Sequence, residues 1–296
     1  MTFPRASLPV EEDLSETARR AFAPEPGDGH RWFYPSLGHR DALGRLQLLT
    51  TPGALIVISG DAGTGKSLLV DVASRSMPLQ VAPVVAGPPS ETRTDVRLLK
   101  SLIAAAGLTP QGRTGLELTT ELLAWTSELG QEGRIAAFVI DDAHLRPSSQ
   151  LEIVRTLMSN ASGRLPLSAV LLGEPDLVDK INRKRNLAGR VSLHYALNPL
   201  NDIDGSALLE HRLITAGCDP DRVFSPAERI ELVRRSGGNP GELLRLAQIT
   251  VRGTLPDGQP ASGAATPRSA FTEKLDRFAG VSRGSPPSEP EGSDPS

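Results

Sequence analysis

Gly60-Asp61-Ala62-Gly63-Thr64-Gly65-Lys66-Ser67 follows the spacing G-x-x-x-x-G-K-S, between an apolar run of strand length and a segment of helical periodicity. Glycines in such a loop let backbone N–H groups turn inward around phosphate oxygens, and the N-terminus of the following helix adds positive potential. Lys66 reaches the outer phosphates and the Ser67 hydroxyl ligates magnesium, with Leu68 closing the set that lines the nucleotide. The expected ligands are ATP and Mg2+. A second signal lies downstream, where the apolar run Ile135 to Ile140 ends on two carboxylates, Asp141 and Asp142, followed by Ala143 and His144. Paired carboxylates at a strand end form the other half of a nucleotide hydrolysis site: Asp141 holds the magnesium through water, and Asp142 polarises the attacking water. The alternative is a solvated strand end. Many ATPases place Glu at the second position; Asp142 is one methylene shorter, so slow hydrolysis is expected. His144 reads equally as a contact to this network, a contact to a neighbouring subunit, or a surface cap.

Elements must hold these groups in place. Apolar runs at Ala54 to Ser59, Leu79 to Ala86, Ile135 to Ile140, Leu167 to Leu172 and Leu193 to Leu197 alternate with helical patterns at Ser67 to Ser74, Asp95 to Ala106, Gly115 to Leu129 and Ser149 to Ser159. Strands alternating with helices predict a parallel α/β sheet. After Pro199 the strand patterns stop, and Asp202 to Ala216, Pro226 to Arg235 and Pro240 to Val251 read as helices of a small lid. The expected organisation is a flexible arm over 1–31 with a short helix at Leu14 to Phe22, a nucleotide-binding α/β domain over 32–199, and the lid over 200–253. The tail over 254–296 is Pro-, Ser- and Gly-rich and expected to be disordered, except that Ala270 to Ala279 could fold onto a partner.

With 296 residues, 39% hydrophobic and 23% charged, the chain can bury a substantial core. A net charge of -3 argues against a surface that is basic all round, while leaving room for local basic patches. The one cysteine, Cys218, excludes an internal disulfide and fits a reducing compartment. No apolar run is long enough to span a bilayer, and Glu11, Glu12, Asp13 and Glu16 stand where a signal peptide is apolar. The expectation is a cytoplasmic protein without direct membrane insertion.

Taken in order, Trp32 to Leu46 (WFYPSLGHRDALGRL), the P-loop, VIDDAH, Val170 to Leu177 (VLLGEPDL), Leu187 to Leu200 (LAGRVSLHYALNPL) and Ser236 to Pro240 (SGGNP) resemble the ExeA/GspA-like AAA+ P-loop ATPases. The resemblance covers about residues 30 to 250. It implies an AAA+ core with a five-stranded sheet, oligomerisation on ATP as a ring or filament, and work on a partner protein complex of the secretion or envelope-assembly type. Distant relatives of that family, such as TnsC and MuB, regulate transposition on DNA. By the same resemblance, Glu174 stands where the family carries a polar sensor, although a carboxylate donates to a phosphate only when protonated. Arg190, ahead of Arg185, matches the arginine finger that reaches a neighbouring subunit's ATP. Gly241 stands where many relatives have Arg, and Arg245, one turn later, is a candidate substitute.

Three functions compete. The first is an ATPase that assembles and remodels or positions a protein complex. The second is an ATP-dependent DNA-binding regulator using Arg183, Lys184, Arg185 and Arg190. The third is an ATP-binding scaffold with little turnover, suggested by Asp142, Glu174 and Gly241.

Overall fold

A computed structural model describes residues 11–22, 29–161 and 165–254. The apolar runs form strands β1 (Leu55–Ser59), β2 (Val81–Val85), β3 (Ile135–Ile140), β4 (Leu167–Gly173) and β5 (Leu193–Ala196). They make one parallel sheet in the order β2-β3-β4-β1-β5. The central strands are almost wholly apolar because both faces are covered, with Ser59 and Ser168 the buried polar exceptions. Strand periodicity sends Leu55, Val57, Phe138, Ile140, Ala169 and Leu171 to one face, and Ile56, Ile58, Ala137, Val139, Val170 and Leu172 to the other. The first face packs against α4 (Asp95–Ala105), α5 (Gly115–Gln131) and α6 (Ser148–Ala161); the second against α2 (Leu37–Leu46) and α3 (Lys66–Ser76). Leu79, expected inside β2, precedes it and is 93% exposed, because the Val81 N–H closes a turn onto the Pro78 carbonyl.

Short helices α7 (Asp176–Asn182) and α8 (Arg185–Ala188) link β4 to β5. Four helices follow: α9 (Asp202–Ala216), α10 (Pro220–Val223), α11 (Pro226–Arg235) and α12 (Pro240–Thr254). Local sequence sets their starts. Asn201 caps α9, and Ser225 with Glu228 forms a capping box on α11, with Pro226 in the first turn.

Residues 1–31 read as a free arm, and the structure corrects this for helix α1 (Glu11–Phe22). Its Ala18, Ala21 and Phe22 are buried in the same cluster as Leu209, Leu213, Phe224, Leu232 and Val251, with the Phe22 and Phe224 rings 5.9 Å apart. Packing of one apolar stripe outweighs the polar composition of the segment. The tail beyond Thr254, including Ala270 to Ala279, lies outside the described residues.

Candidate active site

β1, β3 and β4 are neighbours, and each ends at the same edge of the sheet in a residue singled out above. β1 runs into Gly60, β3 into Asp141 and β4 into Glu174. Loops at the carboxyl ends of parallel strands are where open α/β sheets hold ligands. In the Gly60–Ser67 loop, Gly63 and Gly65 adopt left-handed backbone angles, φ 81° and 94°. Gly65 caps α3 without any side-chain hydrogen bond. The first-turn N–H groups of Lys66, Ser67 and Leu68 have no acceptor within the helix, a geometry that suits an anion.

Lys66 is only 8% exposed, and its ammonium donates to the carbonyls of Gly60 (2.7 Å) and Asp61 (2.8 Å). Burial pushes its pKa down, while Asp141, Glu174, Asp142 and Asp61 push it back up. One cation thus shares its field with four carboxylates. Ser67 is exposed and Leu68 half-buried at the mouth of the loop, with Asp61, Ala62 and Gly63 exposed and Thr64 buried beneath them. The uncapped helix start and the inward-held ammonium fit a polyphosphate. The Ser67 hydroxyl and Asp141 carboxylate are hard oxygen donors of the kind magnesium takes.

Asp141 accepts the backbone N–H of Asp142 on Oδ1 at 2.8 Å. Asp142 is exposed with φ 48°, the one non-glycine left-handed residue among those described, a conformation costing about 1 kcal/mol that Asp tolerates better than most. Strain of this kind concentrates at functional sites. His144, read as contact or cap, is enclosed, with Nε2 3.5 Å from Glu174 Oε1. Glu174 therefore faces His144 as well as the field of Lys66. Arg190 is half-buried on the turn between α8 and β5, and Arg185 is exposed at the start of α8.

Two supports of the loop escaped sequence reasoning. His39 is buried, with Nε2 3.1 Å from the Thr64 carbonyl and Nδ1 2.6 Å from Ser36 Oγ. A carbonyl only accepts, so Nε2 carries the proton and Nδ1 accepts from Ser36. Burial holds the ring's pKa below its usual value, favouring this neutral form. The available clue was position: His39 falls on the same face of α2 as Ala42 and Leu46.

The second support is the lid turn. Asn239 Nδ2 donates to the Ala62 carbonyl at 2.7 Å, and the Gly241 N–H to the Gly63 carbonyl at 3.0 Å. A Cβ on Gly241 would lie 3.1 Å from Gly63 Cα, and one on Gly63 would lie 2.6 Å from Asn239 Oδ1. The lid turn and the loop therefore meet too closely for a side chain at 241 to enter without a shift of the backbone at Gly63. Arg245, the candidate substitute, is engaged by Glu242 at 2.6 and 2.7 Å. The Gly241→Arg substitution is expected to lift the turn and forfeit both hydrogen bonds. At about 0.5–1.5 kcal/mol each, nucleotide affinity should fall roughly tenfold, measurable by titration with a fluorescent ATP analogue.

Residues 50–181 match the family described as AAA domain. General secretion pathway protein A of Aeromonas hydrophila is 29% identical over 217 residues, covering 71% of this chain and 39% of that protein. The chain thus spans about two fifths of that relative's length. Among solved structures, the Aeropyrum pernix ORC1 protein in complex with DNA aligns with a TM-score of 0.60 at 18% identity, over 88% of this chain and 69% of that one. Drosophila ORC bound to DNA aligns at 0.61 and 14%, over 85% and 64%. The Aeropyrum pernix ORC2 protein in its ADP form aligns at 0.61 and 14%, over 87% and 72%. At these identities the structures show a shared fold.

Proposed function

We propose, from the premise that this chain is an AAA+ P-loop protein similar to General secretion pathway protein A, that it binds and hydrolyses ATP with magnesium, assembles with copies of itself, and uses that cycle to position or remodel a partner protein complex. The observation that carries the reading is the placement of Lys66, Asp141, Asp142 and Glu174 in one electrostatic field, at the ends of three adjacent strands beside the uncapped start of α3. ATP supplies the phosphoanhydride bond. Lys66 and the backbone N–H groups from Gly63 to Leu68 bind and orient its phosphates, and Ser67 and Asp141 hold the magnesium. Asp142 orients the attacking water and accepts its proton, while Glu174, beside His144, tunes the same field. The finger is Arg190 of a neighbouring copy.

The reading places the protein in the cytoplasm, supported by the single buried Cys218. Among the described residues no helix is long and apolar enough to cross a membrane.

Mixing subunits tests assembly and the finger together. Neither Arg190→Ala nor Lys66→Ala should turn over ATP well alone. A mixture should regain part of the wild-type rate, because Lys66→Ala subunits lend Arg190 to intact P-loops. A finger is worth about 10³–10⁵ in kcat, so the rescue should stand well above background. Arg190→Ala turning over at the wild-type rate would exclude the finger. Passing the same samples over duplex DNA tests the second reading, which the exposed Arg183 and Arg185 favour and which the engagement of Lys184 by Glu152 at 2.9 Å weakens. Retention that needs ATP and fades steeply with salt would support it.

A further inference from the structure

We infer that Arg146 is a positioning residue of the hydrolysis site, locking the turn that carries Asp142 to the loop after β2. The inference rests on the ATPase reading above. Arg146 is 1% exposed and heads the largest fully buried side chains. Its guanidinium donates from Nη2 to the Gly87 carbonyl (2.6 Å) and from Nη1 to Thr92 Oγ1 (2.7 Å) and Gln150 Oε1 (3.3 Å). Nε donates to the carbonyl of Asp141 (3.3 Å). Every one of these acceptors is neutral. Buried arginines are normally paired with carboxylates, and for packing alone an apolar side chain would cost less here. Burial pushes the guanidinium's pKa down, and the compensating charges are Asp141 and Asp142.

The hydrogen bonds explain the placement. The turn from Asp141 to Arg146 is held from three neighbours. β4 takes the Ala143 N–H on the Leu172 carbonyl at 2.8 Å. From α7, Lys180 donates to the carbonyls of His144 (2.8 Å) and Arg146. The loop over residues 87–92 is gripped by the Arg146 fork, with Gln150 Nε2 adding a bond to the Thr92 carbonyl at 2.5 Å. Asp142 sits inside this turn at φ 48°, its own carbonyl accepting the Leu145 N–H at 2.9 Å. A strained residue keeps its conformation only where its surroundings over-determine it. Without the fork, the link between the turn and the loop is lost and Asp142 relaxes away from the water it must orient.

The test uses the full chain and compares wild type with Arg146→Met, Arg146→Lys and Thr92→Val. Steady-state ATP turnover, affinity for a fluorescent ATP analogue and thermal melting are measured for each. For Arg146→Met, kcat should fall about 10- to 100-fold, the cost of misplacing a reacting group by about an ångström. Its nucleotide affinity should stay within about twofold, since the P-loop is untouched. Arg146→Lys keeps the charge but not the fork and should not restore the rate. Thr92→Val should show a smaller fall of the same kind, and adding it to Arg146→Met should cost nothing further. Wild-type kcat in a folded Arg146→Met protein overturns the inference, as does parallel loss of affinity and kcat with a lowered melting temperature in Thr92→Val. If Arg146→Met does not fold, Thr92→Val decides alone, and unchanged kcat there overturns it. Absence of turnover in wild type overturns the ATPase reading and this inference together; turnover in wild type with unchanged variants overturns only this one.

Discussion

Lys66→Ala is expected to weaken nucleotide binding by roughly 10²- to 10⁴-fold and to leave no measurable turnover. The ammonium stands in the field of four carboxylates, Asp141, Glu174, Asp142 and Asp61. Removing it deletes the charge-assisted contacts to the phosphates, about 1.5–3 kcal/mol each, so two such contacts account for the whole range. It also leaves those carboxylates to repel the incoming anion. Of the two carbonyls that now accept from Lys66, that of Asp61 lies on an exposed residue and can be hydrated, while that of buried Gly60 loses a partner, so the fold should survive with a lowered melting temperature. Calorimetric titration with ATP and magnesium, alongside a melting curve, separates lost binding from lost folding. Affinity at the wild-type level would sink the assignment of Gly60 to Ser67 as the phosphate cradle.

For Asp142→Asn the expected pattern is the reverse, with ATP held and turnover reduced about 10²- to 10⁴-fold, the usual worth of a general base. Asn tolerates the left-handed backbone as well as Asp does, and the backbone N–H that donates to Asp141 Oδ1 is retained, so the geometry should persist while basicity is lost. Assembly, if it follows ATP binding, should then be trapped. A single-turnover measurement with labelled ATP reads the chemical step directly. Turnover equal to wild type would remove Asp142 from catalysis, and an equally slow wild type would favour the scaffold function.

What could be read from the chain follows the range of the forces involved. β3 was bounded correctly at Ile135–Ile140 and β1 to within a residue, because strands buried on both faces must be continuously apolar. The P-loop was legible because its chemistry is written in eight consecutive residues. The strand order was not, since pairing of β4 between β3 and β1 depends on contacts far apart in the chain. The same holds for the supports of the site. Arg146 finds its partners on residues 87 and 92, His39 on residue 64, and Asn239 on residue 62. A lone arginine in a polar turn looks solvated until the loop it fills is known. Glu174 carried a family expectation of a sensor; its neighbour His144 could not be inferred from spacing, because the two meet only when β3 and β4 lie side by side.

Helix α1 closes against α9 and α12, and Phe22 meets Phe224 across about two hundred residues of sequence. During synthesis, at about 5–20 residues per second, α1 leaves the ribosome some ten to forty seconds before the surface that shelters it. The sheet and its P-loop can condense in that interval; the cover cannot. Closure of this cluster therefore waits for α12 to join α1, and a chaperone or protease that samples the newborn protein before then would find exposed grease there.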